Sequence, residues 1–212
     1  MKYLVGVFSD FAKIKAITIA ALVVVLVVVL IFYVRGKKRR YDTRTIVYGG
    51  LSIAISFVLS YVRLYHMPQG GTITPASMLP LFIYAYAFGP AAGITAGVAY
   101  GFLQLIQDAF VVHWAQLLLD YPLAFGALGI AGFFKKNLPL GIVAGGVGRF
   151  VFHFISGFVF FASYAPKGMN PVYYSLVYNA TVIGPELVIC LVVYAIPQVK
   201  RAIKVLSNPS AL

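Results

Sequence analysis

The feature that most constrains this chain is a series of long apolar runs separated by short loops, many of them basic. The first run, Ala16 to Val34, is nearly unbroken and is followed by the basic cluster Arg35 to Arg40. About 20 apolar residues suffice for a helix to span the hydrocarbon core of a bilayer. Because backbone polar groups must pair within the protein there, repeated runs of this kind predict an all-α polytopic membrane protein.

The composition excludes an ordinary soluble domain. Hydrophobic residues make up 61% of the 212 residues and charged residues only 10%. Lys and Arg total 17 against 5 acidic residues, but they cluster between apolar runs, which indicates membrane topology and not a nucleic-acid partner. The lone cysteine, Cys190, lies in an apolar run, so neither a disulfide framework nor a cysteine metal site is expected, and we predict no metal site.

The apolar runs divide the chain into three predicted regions. We expect an extra N-terminal transmembrane helix and a basic cytoplasmic linker in residues 1–42, a six-helix membrane domain in 43–200, and a cytoplasmic tail in 201–212. A signal peptide is the alternative for the first run. No small-residue cleavage site follows it, so we expect this helix to be retained.

Lys and Arg also predict the orientation in the plasma membrane, because short cytoplasmic loops carry an excess of both. Arg35 to Arg40, Lys135-Lys136 and Lys200 to Lys204 are expected inside, which makes the C-terminus cytoplasmic and the N-terminus external. The turn-rich loops 67–75 and 163–171 are then external.

Two small-residue patterns predict close helix contacts. Glycines recur at every fourth position from Gly89 to Gly101, a flat face suited to packing inside the bundle. Gly50 and Ala54 form a small-xxx-small pair in the second apolar run, and their partner could be an internal helix or another protein.

An acid, Asp120, lies within the apolar run 111–134. At helical spacing His113, Gln116 and Asp120 fall on one stripe, while the leucines point elsewhere. A charge in hydrocarbon is costly unless it is paired or hydrated, so an intramembrane acid indicates a functional site. A structural aspartate that pairs with a neighbouring helix is the alternative.

Two later runs bring further polar groups to the depth of Asp120. His153 and Gly157 share one helix face, and Tyr174, Ser175 and Asn179 lie near the outer start of the last run. Aromatic rings and one carboxylate suit a flat organic cation, through stacking, cation–π attraction and counter-charge. Membrane-belt aromatics and a structural histidine are the alternatives. The aromatic residues expected around this cavity are Phe110, Trp114, Tyr121, Phe160, Phe161 and Tyr164.

Arg149 and Glu186 are too deep in their runs to be ordinary loop charges. Counting ~1.5 Å per residue, their backbones differ in height by roughly 8 Å, which two long side chains can close. We predict that they form an ion pair, because each alone in hydrocarbon would be destabilising. The pair serves either as a structural brace or as a polar floor beneath the cavity.

Five short motifs lie between Thr43 and about Gln198: Met67-Pro-Gln-Gly-Gly71, Met78-Leu-Pro80, Leu118-Leu-Asp-Tyr-Pro-Leu-Ala124, Phe152-His-Phe-Ile-Ser-Gly157 and Tyr174-Ser-Leu-Val-Tyr-Asn179. Together they resemble the thiamine-specific S components of energy-coupling factor (ECF) transporters. The resemblance implies a six-helix subunit that binds thiamine from outside and associates with a transmembrane coupling protein and two ATPase subunits.

The resemblance also implies roles for individual residues. Asp120 stands where the family has an acid that meets the thiazolium or the aminopyrimidine of thiamine. Phe110 and Phe161 depart from relatives with Tyr and Trp there, which bears on affinity. The Gly50 and Ala54 pair resembles the motif presented to the coupling protein. Positions that match the family's pocket are His153, Gly157, Tyr121, Tyr174, Ser175 and Asn179.

Two other functions remain open from the sequence. One is an S component or secondary transporter for another cationic or aromatic vitamin. The other is an intramembrane enzyme that uses Asp120 and His153 as acid and base, although no activated Ser or Cys motif accompanies them. We expect no enzyme activity and no cofactor. Because the chain carries no GxxxxGK[ST] phosphate loop, ATP must be hydrolysed by a partner.

Overall fold

A computed structural model describes residues 42–207, and the predicted N-terminal transmembrane helix lies outside these described residues. The described residues are helical almost throughout, which confirms the predicted all-α membrane fold. Four helices are long and apolar enough to cross a membrane: Thr43–Ser60, Trp114–Phe133, Leu138–Phe160 and Pro171–Ala195. The six core helices are α1 (Thr43–Ser60), α2 (Leu79–Phe88), α3 (Pro90–Gln107), α4 (Trp114–Phe133), α5 (Leu138–Phe160) and α6 (Pro171–Ala195).

Helix α1 begins at a side-chain cap. The Asp42 carboxylate accepts hydrogen bonds from the Thr45 amide at 2.8 Å and from the Thr45 hydroxyl at 2.5 Å. These bonds satisfy an amide at the open end of the helix. The hydroxyl and amide of Thr45 also hold the pKa of Asp42 below its usual value, because they stabilise the ionised form.

Helix α2 is only 10 residues long, or about 15 Å, half of a ~30 Å hydrocarbon core. The chain that precedes it is a short antiparallel hairpin, β1 (Tyr65–His66) paired with β2 (Thr72–Ile73), followed by a bend at Ala76. Non-helical backbone at membrane depth is tolerated where it lines a cavity or is buried in protein. The segment before α2 lines a cavity and is also partly buried in protein.

Helix α4 is irregular along most of its length. An α-helical turn, Trp114–Leu118, gives way to a π-helical segment, Leu119–Leu123, and the helix ends in 3₁₀ geometry at Ala127–Phe133. Pro122, inside the π segment, has no amide hydrogen to donate to the preceding turn, which favours the break. Such π segments are frequent at functional sites, and Asp120 lies within this one.

The predicted glycine face of α3 packs directly against the backbone of α4. A Cβ atom at Gly97 would collide with the carbonyl oxygen of Phe125, and one at Gly101 would lie 2.5 Å from that of Tyr121. Glycine is therefore required for the two backbones to approach this closely. The contact fixes α4 against α3 just where its π segment turns.

The last element is a helix that continues into the predicted cytoplasmic tail. After Ile196, whose extended backbone ends α6, an amphipathic helix α7 (Pro197–Ser207) begins. It packs against α2 and α6 through Ile203, which is buried. The predicted domain boundary after Lys200 therefore falls inside a helix.

Candidate functional site

A cavity of about 1140 Å³, including its open mouth, lies among the helices at the end of the bundle that carries the β1–β2 hairpin. Helices α4, α5 and α6 supply one side, α1 and α3 supply the other, and the β1–β2 hairpin contributes Gln69 to Thr72. Polar side chains from several helices therefore meet in one space that is open to the surface.

Asp120 is held by three hydrogen bonds. Its Oδ2 accepts from the Gln116 amide at 2.6 Å and from the Ser156 hydroxyl at 2.9 Å, and its Oδ1 lies 3.0 Å from Nδ1 of His153. Gln116 is in turn fixed by the Val112 amide and the Phe110 carbonyl. The carboxylate is thus oriented before any ligand arrives, and 13% of its side chain remains accessible.

The proton on His153 can be assigned from its neighbours. Nε of Arg149 approaches Nε2 of His153 at 3.4 Å. Arginine can only donate, so Nε2 of His153 is the acceptor, and its Nδ1 carries the proton that points to Asp120. The imidazole in this arrangement is neutral and does not cancel the charge of Asp120.

Arg149 and Glu186 form the predicted pair beneath this group. Nη1 of Arg149 lies 3.3 Å from Oε2 of Glu186, with 11% and 2% of the side chains exposed. The other carboxylate oxygen accepts from the hydroxyls of Thr74 at 2.6 Å and Ser77 at 3.0 Å. The Arg149 guanidinium also lies 4.4 Å from the ring centroid of Phe125. The pair therefore ties the segment before α2 to α5 and α6.

The formal charges that line the cavity leave one unit uncompensated. Arg63 pairs with Asp108 at 2.8 Å near the mouth, and Arg149 pairs with Glu186 at the floor. With His153 neutral, Asp120 is the one remaining formal charge among the described lining residues. The cavity is thus electrostatically suited to a ligand of charge +1.

An aromatic wall stands beside the carboxylate. The rings of Phe110 and Phe161 stack with centroids 5.9 Å apart, and Tyr164 contacts both. The Tyr121 hydroxyl accepts from the Phe110 amide at 2.8 Å and donates to the Asp108 carbonyl at 3.1 Å. Tyr121 therefore holds the link between α3 and α4 that carries Phe110.

Comparison with known proteins decides the family. The profile of the family described as Thiamine transporter protein (Thia_YuaJ) matches residues 46–206. The chain belongs to this family. It is a family of transporters and not of enzymes. The resemblance predicted from the five motifs is confirmed.

Individual relatives agree with this membership of the thiamine transporter family. The thiamine transporter ThiT of Bacillus subtilis (strain 168) is 41% identical over 144 residues, which cover 60% of this chain and 74% of that protein. ThiT of Lacticaseibacillus paracasei is 32% identical over 122 residues, covering 48% and 61% of the two chains. The structure of ThiT from Listeria monocytogenes matches with a TM-score of 0.69 at 23% identity, covering 76% of this chain and 96% of that one. At this identity the structural likeness bears on the fold alone.

The structure brings together nearly all of the predicted ligand-binding residues of this family member. Gly157 lies where a Cβ atom would strike the Ser175 hydroxyl, so it also permits α5 and α6 to approach. The predicted residues that line the cavity are Phe110, Asp120, Tyr121, His153, Gly157, Phe161, Tyr174, Ser175 and Asn179.

Trp114 does not line the cavity, and neither do Phe160 and Tyr164, which were also expected around it. Trp114 is six residues before Asp120, which at 100° per residue places the two side chains on different faces of the helix. Trp114 lies beside His113, with ring centroids 5.5 Å apart. Trp114 is close to Asp120 along the helix axis, but closeness along the axis does not place two side chains on the same face.

Several lining residues were not predicted as ligand contacts. Tyr178 accepts from the Gly71 amide at 3.1 Å and donates to the Pro68 carbonyl, which fastens the hairpin to α6. Gln104 donates to Ser60 at 3.0 Å and to Gln107 at 2.8 Å, a polar wall between α1 and α3. Gln104 and Gln107 are three residues apart in an apolar helix, a spacing that places both side chains on one face and could have signalled this wall.

Proposed function

We propose that this chain is the thiamine-binding S component of an ECF-type importer and that thiamine occupies the outer cavity. The observation that carries the proposal is the single uncompensated charge of Asp120 in a cavity with an aromatic wall. Thiamine combines one permanent positive charge on its thiazolium ring with a second flat ring. Membership of the thiamine transporter family supports this ligand over other cationic vitamins.

Each side of the cavity has a role in this proposal. Asp120 either provides the counter-charge for the thiazolium or accepts a hydrogen bond from the aminopyrimidine. Phe110 and Phe161 provide a stacking surface for a flat cationic ring. His153 on α5 and Asn179 on α6 add polar groups to the cavity wall. The Asn179 amide donates to the His153 carbonyl at 3.2 Å, which joins the two helices.

Coupling to ATP hydrolysis is assigned to partner subunits. Gly50 and Ala54 lie on the exposed face of α1, and a Cβ atom at Gly50 would have nothing within 4 Å. The same face exposes Val47, Leu51 and Val58. An apolar face with two small residues suits close contact with a transmembrane coupling protein, which would associate with two ATPases. In that case Gly50→Leu weakens copurification of the module and leaves thiamine affinity unchanged.

The proposed topology places the cavity mouth outside the cell. The C-terminus and Lys135-Lys136 lie on the cytoplasmic side, in a multi-pass protein of the plasma membrane. A retained N-terminal helix, with Met1 outside, belongs to this proposal. Cysteine labelling of a Gly168→Cys variant in intact cells tests it, because Cys190 is buried and gives little background.

A binding screen tests the ligand assignment. Isothermal titration of the purified chain with thiamine, riboflavin, biotin and nicotinamide should give saturable heat with thiamine alone. Binding of another vitamin in preference to thiamine would favour the alternative S component. Conversion of bound thiamine into a product would favour the enzyme that uses Asp120 and His153.

A further inference from the structure

We propose that α7 is a binding element for anionic phospholipid headgroups at the inner surface of the membrane. This inference goes beyond thiamine binding and concerns a surface far from the cavity. It rests on where the ends of α7 lie, on which side chains it exposes, and on the scarcity of acidic residues around it.

The two ends of α7 are fastened to the inner ends of two different helices. At its start, Ile196 breaks α6 with an extended backbone, and Pro197 begins the new helix directly. Near its end, the Leu206 carbonyl accepts from Nη2 of Arg44 at 3.2 Å, and Arg44 belongs to the first turn of α1. A helix of 11 residues, about 16 Å, therefore runs across this end of the bundle from α6 to α1.

The two faces of α7 differ in chemistry. Val199, Ile203 and Leu206 point into the protein, where Ile203 is buried against α2 and α6. Lys200, Arg201 and Lys204 are exposed on an arc of about 100°. An apolar face directed to the bundle and a cationic arc directed to the interface are typical of helices that lie in the headgroup region.

The cationic arc has few acids to neutralise it. At the inner end of the described residues the sole carboxylate is Asp42, which accepts hydrogen bonds from Thr45 at the start of α1. Lys200 also lies 5.4 Å from the ring centroid of Tyr194, which keeps its ammonium group near the end of α6. The Lys200, Arg201 and Lys204 side chains can therefore donate to phosphate oxygens.

Exposed apolar side chains beside the arc favour a lipid over an acidic protein as the partner. Val205 is 46% exposed and Ile196 is 43% exposed, and both flank the basic residues. An acyl-chain boundary can cover these side chains while the headgroups meet the charges. A single molecular environment, the inner leaflet, thus accounts for both kinds of exposed residue.

Lipid retention by the purified full-length chain tests this assignment. In neutral detergent, phosphatidylglycerol or phosphatidylcholine is added at equal concentration, and bound lipid is counted by native mass spectrometry. We expect retention of phosphatidylglycerol in preference to phosphatidylcholine. The combined Lys200→Gln, Arg201→Gln, Lys204→Gln variant should lose at least about ten-fold of that preference, because it removes together the three cations that share one arc of α7.

A second variant distinguishes a site on α7 from a general effect of positive charge. Lys135 and Lys136 are exposed in a loop at the same end of the bundle, so Lys135→Gln, Lys136→Gln is the matched control and should retain most of the preference. Thiamine affinity, measured on each variant, should not change, so this proposal can fail while the transport proposal stands.

Three results would overturn the proposal. One is equal retention of the two lipids by the unmodified chain. Another is a loss in the control variant that matches the triple variant in proportion to the charges removed. The third is an unchanged lipid preference in the triple variant. If that variant also loses copurification of the coupling module, α7 is a protein-binding surface instead.

Discussion

The two sides of α4 are built in opposite ways. Toward α3, the glycines Gly97 and Gly101 bring backbone against backbone and leave no room for even one added methyl group. Toward α5 and α6, Asp120 and its hydrogen-bond partners border an open cavity. A tight apolar contact on one face therefore holds the irregular helix, so that a carboxylate on its other face keeps its position without a ligand.

The largest expected effect is on the polar side, in the Arg149 and Glu186 pair. Arg149→Met or Glu186→Gln alone strands a buried charge, which costs about 3–5 kcal/mol of stability. The double variant removes both charges and should recover much of that loss. Melting temperatures of the purified variants in detergent provide the measurement. Simple addition of the two single losses would show that the residues are not coupled.

The tight side of α4 is tested by paired glycine variants. Gly97→Ala places a methyl group against the Phe125 carbonyl and should cost about 1–3 kcal/mol. Gly50→Ala is the matched control, because Gly50 is also helical and a Cβ atom there meets nothing within 4 Å. Its stability should stay equal or rise by up to about 1 kcal/mol. Equal melting temperatures for the two variants would contradict the account of this interface.

The smallest effect concerns the hairpin that covers part of the cavity. Tyr178→Phe removes the hydroxyl that joins Gly71 and Pro68 to α6. This loss should lower the free energy needed to open the hairpin by about 1 kcal/mol. Hydrogen exchange at the Gly71 amide should then accelerate by roughly five-fold. Tyr173→Phe is the control, since Tyr173 is 58% exposed, and it should leave that exchange rate unchanged. Accelerated exchange in both variants would mean that Tyr178 is not the anchor.

The sequence predicted the helices and much of the cavity because membrane constraints are strong and local. Apolar runs must form helices, and a face of glycines must meet another helix, so both followed from spacing alone. The convergence of Asp120, His153 and Asn179 followed from their similar depth along three helices. Arg149 and Glu186 were placed together by the cost of leaving either charge alone.

What the sequence did not predict depends on backbone geometry or distant contacts. The π segment around Asp120 changes which side chains share a face, although Pro122 was a signal for it. Trp114 was expected at the cavity and lies elsewhere for the related reason that depth alone does not fix a helix face. The attachment of the hairpin to Tyr178 joins residues 107 positions apart, which periodicity cannot detect.

Thiamine affinity of Asp120→Asn tests the central claim most directly, with Asp108→Asn as its control. Both carboxylates line the cavity, but Asp108 is already paired with Arg63 while Asp120 carries the uncompensated charge. Isothermal titration should show a loss of about 2 kcal/mol or more, roughly 30-fold, for Asp120→Asn and little change for Asp108→Asn. Unchanged thiamine affinity in folded Asp120→Asn protein would contradict the assignment of Asp120 as the counter-ion.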